Sequence, residues 1–134
     1  MITIGDSLKS EAVNEYLELY DINVIYRFDR LYEGEEDSYT VNNEVLGLEL
    51  KIDKNQKLIV IWIKMVNSIS AKNFVQWDNF SSMVDVEKWA EAQKYDIIYG
   101  DNWIRADGEM VSYHYAFDAN GLLMVTLMSK DIAP

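Results

Sequence analysis

Hydrophobic and polar positions alternate through most of this chain, and the rhythm changes at recognisable places. The densest apolar stretch is Leu58 to Val66, LIVIWIKMV, broken only by Lys64. Its β-branched residues Ile59, Val60, Ile61 and Ile63 favour a strand over a helix. Alternation sets Ile59, Ile61, Ile63 and Met65 on one face and Leu58, Val60, Trp62 and Val66 on the other. A strand apolar on both faces needs cover on both, which predicts a place in the middle of a sheet. Just upstream, Val45 to Ile52 reads as a one-sided strand, with Leu46, Leu48, Leu50 and Ile52 inward and Glu49 and Lys51 outward. The tetrad Asp53-Lys54-Asn55-Gln56 between them is turn-like, so the two stretches form an antiparallel hairpin. Ile22 to Tyr32 alternates Ile22, Val24, Tyr26 and Phe28 with polar residues and reads as a further one-sided strand.

Two segments change to helical spacing. Asp6 and Ser7 are suitable N-caps for a helix running to about Tyr20. Its apolar side carries Leu8, Ala12, Tyr16, Leu19 and Tyr20, and Glu11, Glu15 and Glu18 fall on the opposite side. A second helix is expected to start near Ser82 to Asp85 and run to about Lys94, with Val86, Trp89, Ala90 and Gln93 sharing a face. Between strand and helix, the aromatics of Phe74 to Phe80 could plug the side of the core. Beyond the second helix the chain reads as strand. Ile97 to Tyr99 and Trp103 to Ala106 are separated by a bulge or bend at Gly100-Asp101, and Met110 to Asp118 and Leu122 to Ser129 follow. Asp107-Gly108 and Asn120-Gly121 read as two-residue hairpin turns, the second of which would place His114 opposite Leu127, on one face with Ala116, Val125 and Met110.

The order is α-β-β-β-α-β-β-β, and tight turns between neighbouring strands make their pairing antiparallel. The pattern predicts one α+β domain over residues 1–134: a curved antiparallel sheet of about six strands with two helices packed on one face. The other face is left to curl on itself, line a pocket or meet a partner.

Composition narrows the chemistry. Among 134 residues there is no cysteine and one histidine, which removes disulfides and thiolate metal sites and makes zinc an unexpected ligand. Taking Gly121 as the sixth position of a calcium loop puts Ala116 and Leu127 at the first and twelfth, where ligands are required, so that match fails. No glycine-rich phosphate loop occurs, and no metal or cofactor is expected. The opening MITIGDSLKS has neither the basic start nor the apolar core of a signal peptide. The longest unbroken apolar run, Leu58 to Ile63, is six residues, where a membrane helix needs ~20. These features lead to the expectation of a soluble, cytoplasmic protein.

Net charge is −11 and uneven: residues 1–50 carry −9, residues 51–72 carry +4, and residues 73–134 carry −6. Such a field repels nucleic-acid phosphates and anionic lipid, so neither nucleic acid nor membrane is an expected direct partner. It attracts basic protein surfaces. The plain alternative is that acidity keeps the chain soluble. The densest charge is the loop Glu33-Gly34-Glu35-Glu36-Asp37, followed by the Glu11, Glu15, Glu18 helix face.

No catalytic signature stands out. His114 could serve as a general base, but no nucleophile is marked beside it. Three readings remain. The first, and the favoured one, is a non-enzymatic acidic protein-binding module: an inhibitor or immunity-type antidote that neutralises a basic toxin or nuclease. It would dock through Glu11, Glu15, Glu18, Glu33, Glu35, Glu36 and Asp37. Bacterial immunity proteins share its small, acidic, single-domain character, which is a likeness of composition only. The second is a small-ligand or enzymatic pocket using Trp103, Tyr113, His114 and Tyr115, with an acid such as Asp101. The third is a nucleic-acid (phosphate) mimic, against which the lysine-rich segment 51–72 counts.

Overall fold

Five hairpin turns among the described residues decide the topology. The computed structural model describes residues 1–20, 38–65 and 71–133. Within them the order is α1 (Glu11–Leu19), β1 (Ser38–Asn43), β2 (Leu48–Asp53), β3 (Leu58–Lys64), α2 (Met83–Ala92), β4 (Asp96–Tyr99), β5 (Trp103–Asp107), β6 (Val111–Asp118) and β7 (Gly121–Ser129). The seven strands form one sheet in the order β1-β2-β3-β7-β6-β5-β4, with each neighbouring pair antiparallel. Two meanders, β1-β2-β3 and β4-β5-β6-β7, are thus joined where β3 meets β7. The apolar stretch expected at the middle of the sheet does lie inside it, as β3, with a neighbour on either side.

The α+β class and antiparallel sheet agree with the sequence pattern, and three details differ. The sheet has seven strands where about six were expected. Residues 97–106 are not one bent strand but the hairpin β4–β5, closed by the Gly100 N–H donating to the Trp103 carbonyl around Asp101-Asn102. And β1 occupies Ser38–Asn43, where the pattern gave no strand, while the expected strand Ile22 to Tyr32 lies outside the described residues. Val45 and Leu46 belong to the β1–β2 turn rather than to β2, and Val45 is exposed. Gly47 ends that turn with φ +68°, and a Cβ there would come within 2.7 Å of the Lys64 carbonyl oxygen.

The first helix also starts later than its cap residues suggested. Asp6 accepts from the Thr3 backbone N–H and hydroxyl. The Gly5 and Leu8 N–H groups donate to Leu58 and Gln56, tying residues 5–8 to the β2–β3 turn and leaving α1 to begin after Ser10. Its buried side is Val13, Tyr16 and Leu17, and Leu19 is exposed rather than packed. The second helix matches its signals: Ser82 accepts from the Asp85 N–H as N-cap, and Val86 and Ala90 are buried.

Strand pairing puts Leu48, Leu50, Ile61, Ile63, Val125, Leu127, Tyr115 and Ile104 on one face. These pack with Val13, Tyr16 and Leu17 of α1 and Val86 of α2 into one apolar core. α1 lies toward β1 and α2 toward β4, β5 and β6. The second face carries Glu49, Lys51, Val60, Trp62, Met124, Thr126, Met128, Ser112, His114, Ala116, Trp103, Arg105 and Asp107.

Two β-bulges set which side chain faces where. Lys51 pairs with Val60 but Ile52 with Leu58, so Ile59 is an extra residue in β3. Ala116 pairs with Met124 but Phe117 with Leu122, so Leu123 is extra in β7. An inserted residue shifts the alternation beyond it to the opposite face and increases local twist.

Candidate functional site

The bulge at Leu123 determines how the candidate pocket residues fall. Phe117 and Asp118 pair with Leu122 and Gly121 around an Ala119-Asn120 loop, and past the bulge His114 pairs with Thr126, not Leu127. The expected neighbour Val125 therefore lies on the other face with Tyr115, while Ala116 does share the His114 face, and Met110 sits exposed in the β5–β6 turn. That turn is also displaced from its expected place: Gly108 donates to the Val111 carbonyl, which makes Glu109-Met110 the loop pair instead of Asp107-Gly108. Alternation along β6 sets His114 on the opposite face from Tyr113 and Tyr115, so the four candidate side chains are not gathered on one face. Trp103 and His114 lie together on the face away from the helices, and Tyr113 and Tyr115 lie beneath α2. Asp101 is exposed in the β4–β5 turn, two residues before Trp103.

On the face away from the helices, the Trp103 indole stacks on the His114 ring, with centroids 6.4 Å apart and planes 16° from parallel. The two line a cavity of about 300 Å³ with Asn102, Tyr115, Ala116, Met124 and Thr126, so three of the four candidate pocket residues border it and Tyr113 does not. Burial depresses the His114 pKa, the positive charge of Arg105 opposite adds to this, and Asp107 opposes it. His114 Nε2 is buried without a hydrogen-bond partner, so no base–nucleophile pair is made there among the described residues.

Next to it sits an ionic cluster that the sequence pattern did not single out. Asp107 Oδ1 accepts from Arg105 Nε at 2.7 Å and from the Ser112 hydroxyl at 2.5 Å, and Oδ2 accepts from Lys130 Nζ at 2.8 Å. Arg105 and Asp107 side chains are almost fully buried, whereas Lys130 reaches solvent. Burial raises the Asp107 pKa, but the hydrogen bonds from Arg105, Lys130 and Ser112 outweigh it and hold the carboxyl well below its ordinary value. With its lone pairs engaged by three donors, this carboxylate is a structural anchor tying β5, β6 and the end of β7. The signal in the sequence was Arg105 and Asp107 two apart, both on one side of an otherwise apolar strand.

Beneath α2 is a cleft of about 360 Å³. The N-terminal segment (Ile2, Thr3, Ile4) and residues Gln76, Trp77 and Asp78 form one side, and α2 and the sheet supply Trp89, Gln93, Tyr95, Tyr113 and Tyr115 on the other. Trp89 meets Tyr113 at 5.2 Å, Tyr95 at 5.5 Å and Tyr115 at 6.0 Å, each nearly edge-to-face, and Tyr95 stacks on Tyr113. Burial raises the hydroxyl pKa of both tyrosines, and the negative charge of Asp78 adds to this at Tyr115. Of these residues the sequence reading picked out Tyr113 and Tyr115. The helical spacing places Trp89 on a face with Val86, Ala90 and Gln93, and Tyr95 and Asp78 carry no pattern.

The acidic candidates are more scattered. Glu11, Glu15 and Glu18 stand exposed along α1, and Glu33, Glu35, Glu36 and Asp37 lie outside the described residues. Exposed Lys54 and Lys57 in the β2–β3 turn interrupt any uniformly acidic ridge. At the far end of the sheet the edge strand β4 exposes Ile98 and Tyr99, and Trp103 follows across the turn. Asp96 lies on the same strand and Asp101 in the turn, and Glu87 and Glu91 of α2 lie on the Tyr99 side. The neighbouring Glu87 carboxylate raises the Tyr99 hydroxyl pKa, and the negative charge of Glu91 adds to this. Among the described residues β4 pairs on one side only, with β5, so its other edge presents free backbone N–H and C=O groups.

Among the described residues no three His, Cys, Asp or Glu side chains gather closely enough to hold a metal, and no helix is long and apolar enough to cross a membrane. No protein-family model matches the chain, and no curated protein or solved structure matches it either.

Proposed function

We propose that this chain is a small acidic protein-binding module that docks on a basic protein and blocks it, in the manner of an immunity-type antidote against a cationic toxin or enzyme. The observation that carries the proposal is the β4 edge, where Ile98 and Tyr99 are exposed on opposite faces of the strand and Trp103 follows across the turn, with Asp96 on the strand, Asp101 in the turn and Glu87 and Glu91 of α2 on the Tyr99 side. Exposed apolar and aromatic residues supply the desolvated centre of an interface, and the acids supply its rim. An open, apolar edge strand is normally a site of self-association. Here a second copy would bring its own Asp96 and Asp101 carboxylates against those of the first, whereas a cationic partner strand meets attraction. The net charge of −11 acts earlier, by speeding encounter with a positive surface. The α1 acids belong to that long-range field, since they stand toward the opposite end of the sheet.

The test is retention and inhibition. The chain is immobilised, host lysate is passed over it at low and moderate salt, and any basic protein retained is purified and assayed with and without the free chain. Stoichiometric retention that weakens with salt, together with loss of the retained protein's activity on adding the chain, supports the proposal. Retention of no basic protein, or of one whose activity the chain leaves unchanged, overturns it.

A further inference from the structure

The cleft beneath α2 stands apart from the β4 docking surface and has a chemistry of its own. We infer that it binds a compact organic cation of the quaternary-ammonium type, held against the wall of Trp89, Tyr95, Tyr113 and Tyr115 and neutralised by Asp78 at the rim. Three observations lead there. Among the described residues Asp78 is the one charged residue lining the cleft and no lysine, arginine or histidine lines it; Asp78 is exposed, and its field reaches Tyr115. Tyr95 and Tyr113 stack parallel, 12° apart, and Trp89 is set across the tyrosines at 78° to Tyr95, 85° to Tyr113 and 77° to Tyr115, so the aromatic wall turns a corner, a shape that suits a rounded, tetrahedral head group better than a flat ring or a sugar face. The volume of about 360 Å³ falls at the small end of ligand sites.

The physics is the attraction of a cation to the negative faces of aromatic rings. It strengthens as water is removed, and quaternary ammonium groups have the least hydration to lose. Trp77, also lining the cleft, already draws a cation from the chain itself: Lys72 Nζ lies 4.7 Å from its ring centroid. A free ammonium metabolite and a trimethylated lysine side chain present the same head group.

The experiment titrates the full chain with choline, with 3,3-dimethylbutan-1-ol (its uncharged carbon isostere) and with a short trimethyllysine peptide, following tryptophan fluorescence and calorimetric heat. Saturable binding of choline or the peptide, at least about tenfold tighter than the isostere, is expected from cation–π attraction in a partly dry site. Tighter choline identifies a free ligand, and a tighter peptide identifies a protein-borne one. Asp78→Asn, at an exposed position that leaves folding intact, should weaken binding about two- to fivefold. Tyr95→Leu should weaken it further while keeping the apolar volume. No saturable signal from either cation, equal binding of the isostere, or binding indifferent to both substitutions overturns the inference. None of these outcomes bears on retention of a basic protein by the β4 edge.

Discussion

Asp107→Ala removes the acceptor from three donors at once, and they respond differently. Arg105 is 6% exposed, so its guanidinium would become a buried charge without a counter-ion. Breaking a buried pair in this way costs about 3–5 kcal/mol. Ser112 is fully buried and loses its acceptor, part of the same penalty, whereas Lys130, at 39% side-chain exposure, can turn into water and adds little. A loss near 3 kcal/mol is a large share of the ~5–15 kcal/mol that holds a typical domain folded, and for this length it lowers Tm by about 10 °C. Urea or thermal unfolding at neutral pH measures it. Replacing both charges together, Arg105→Met with Asp107→Leu, should recover part of the loss, because no charge is left buried. The sign of the pH dependence follows from the lowered pKa. The carboxylate's contribution is fully present above the unfolded-state value of about 3.9 and is lost as pH falls below it toward the folded value. Wild type and Asp107→Ala should therefore differ most near neutrality and converge in acid. A loss under about 1 kcal/mol at neutral pH, or a difference that does not shrink in acid, would refute the assignment of Asp107 as the anchor.

Gly47→Ala should destabilise by about 2 kcal/mol, combining a positive φ with a Cβ driven against the Lys64 carbonyl, and unchanged urea unfolding would contradict that turn geometry. Ser82→Ala should cost about 1 kcal/mol by uncapping α2, with Ser82→Asp restoring most of it in the same assay. His114, depressed first by burial and then by Arg105, should titrate below its ordinary value of 6.5 when its ring protons are followed by NMR. Its neutral form favours folding, so its contribution is present above that value and fades as pH falls. His114→Gln should flatten stability over that range, and a histidine titrating above 6.5 would exclude the buried placement.

The sheet was legible where alternation is unbroken. Glu49 and Lys51 did face away from Leu48 and Leu50, and the Asp53 to Gln56 turn did close the β2–β3 hairpin, with Asp53 accepting from the Asn55 and Lys57 N–H groups. Reading failed where one residue changes parity. Nothing in the composition of Gly121-Leu122-Leu123-Met124 marks Leu123 as extra, yet that residue puts His114 on the opposite face from Val125 and Leu127. Ile59 hides a bulge in the same way inside an apolar run. The β1 strand, SYTVNN, is too polar to announce itself, because Thr40 and Asn42 face solvent and Asn43 turns its side chain to accept from the Leu46 N–H. The aromatic cleft was invisible for another reason: Asp78, Trp89, Tyr95 and Tyr113 come from segments that only tertiary packing brings together.

The most direct test of the docking account compares wild type with Ile98→Lys/Tyr99→Lys, in which two exposed apolar positions of β4 become cationic. Both chains are immobilised and challenged with the same host lysate, after circular dichroism and thermal unfolding have shown matching folds. The account predicts that wild type retains one basic protein stoichiometrically, releases it as salt rises, and that the double variant fails to retain it. Equal retention by the two chains would place the interface elsewhere and contradict the role given to the β4 edge.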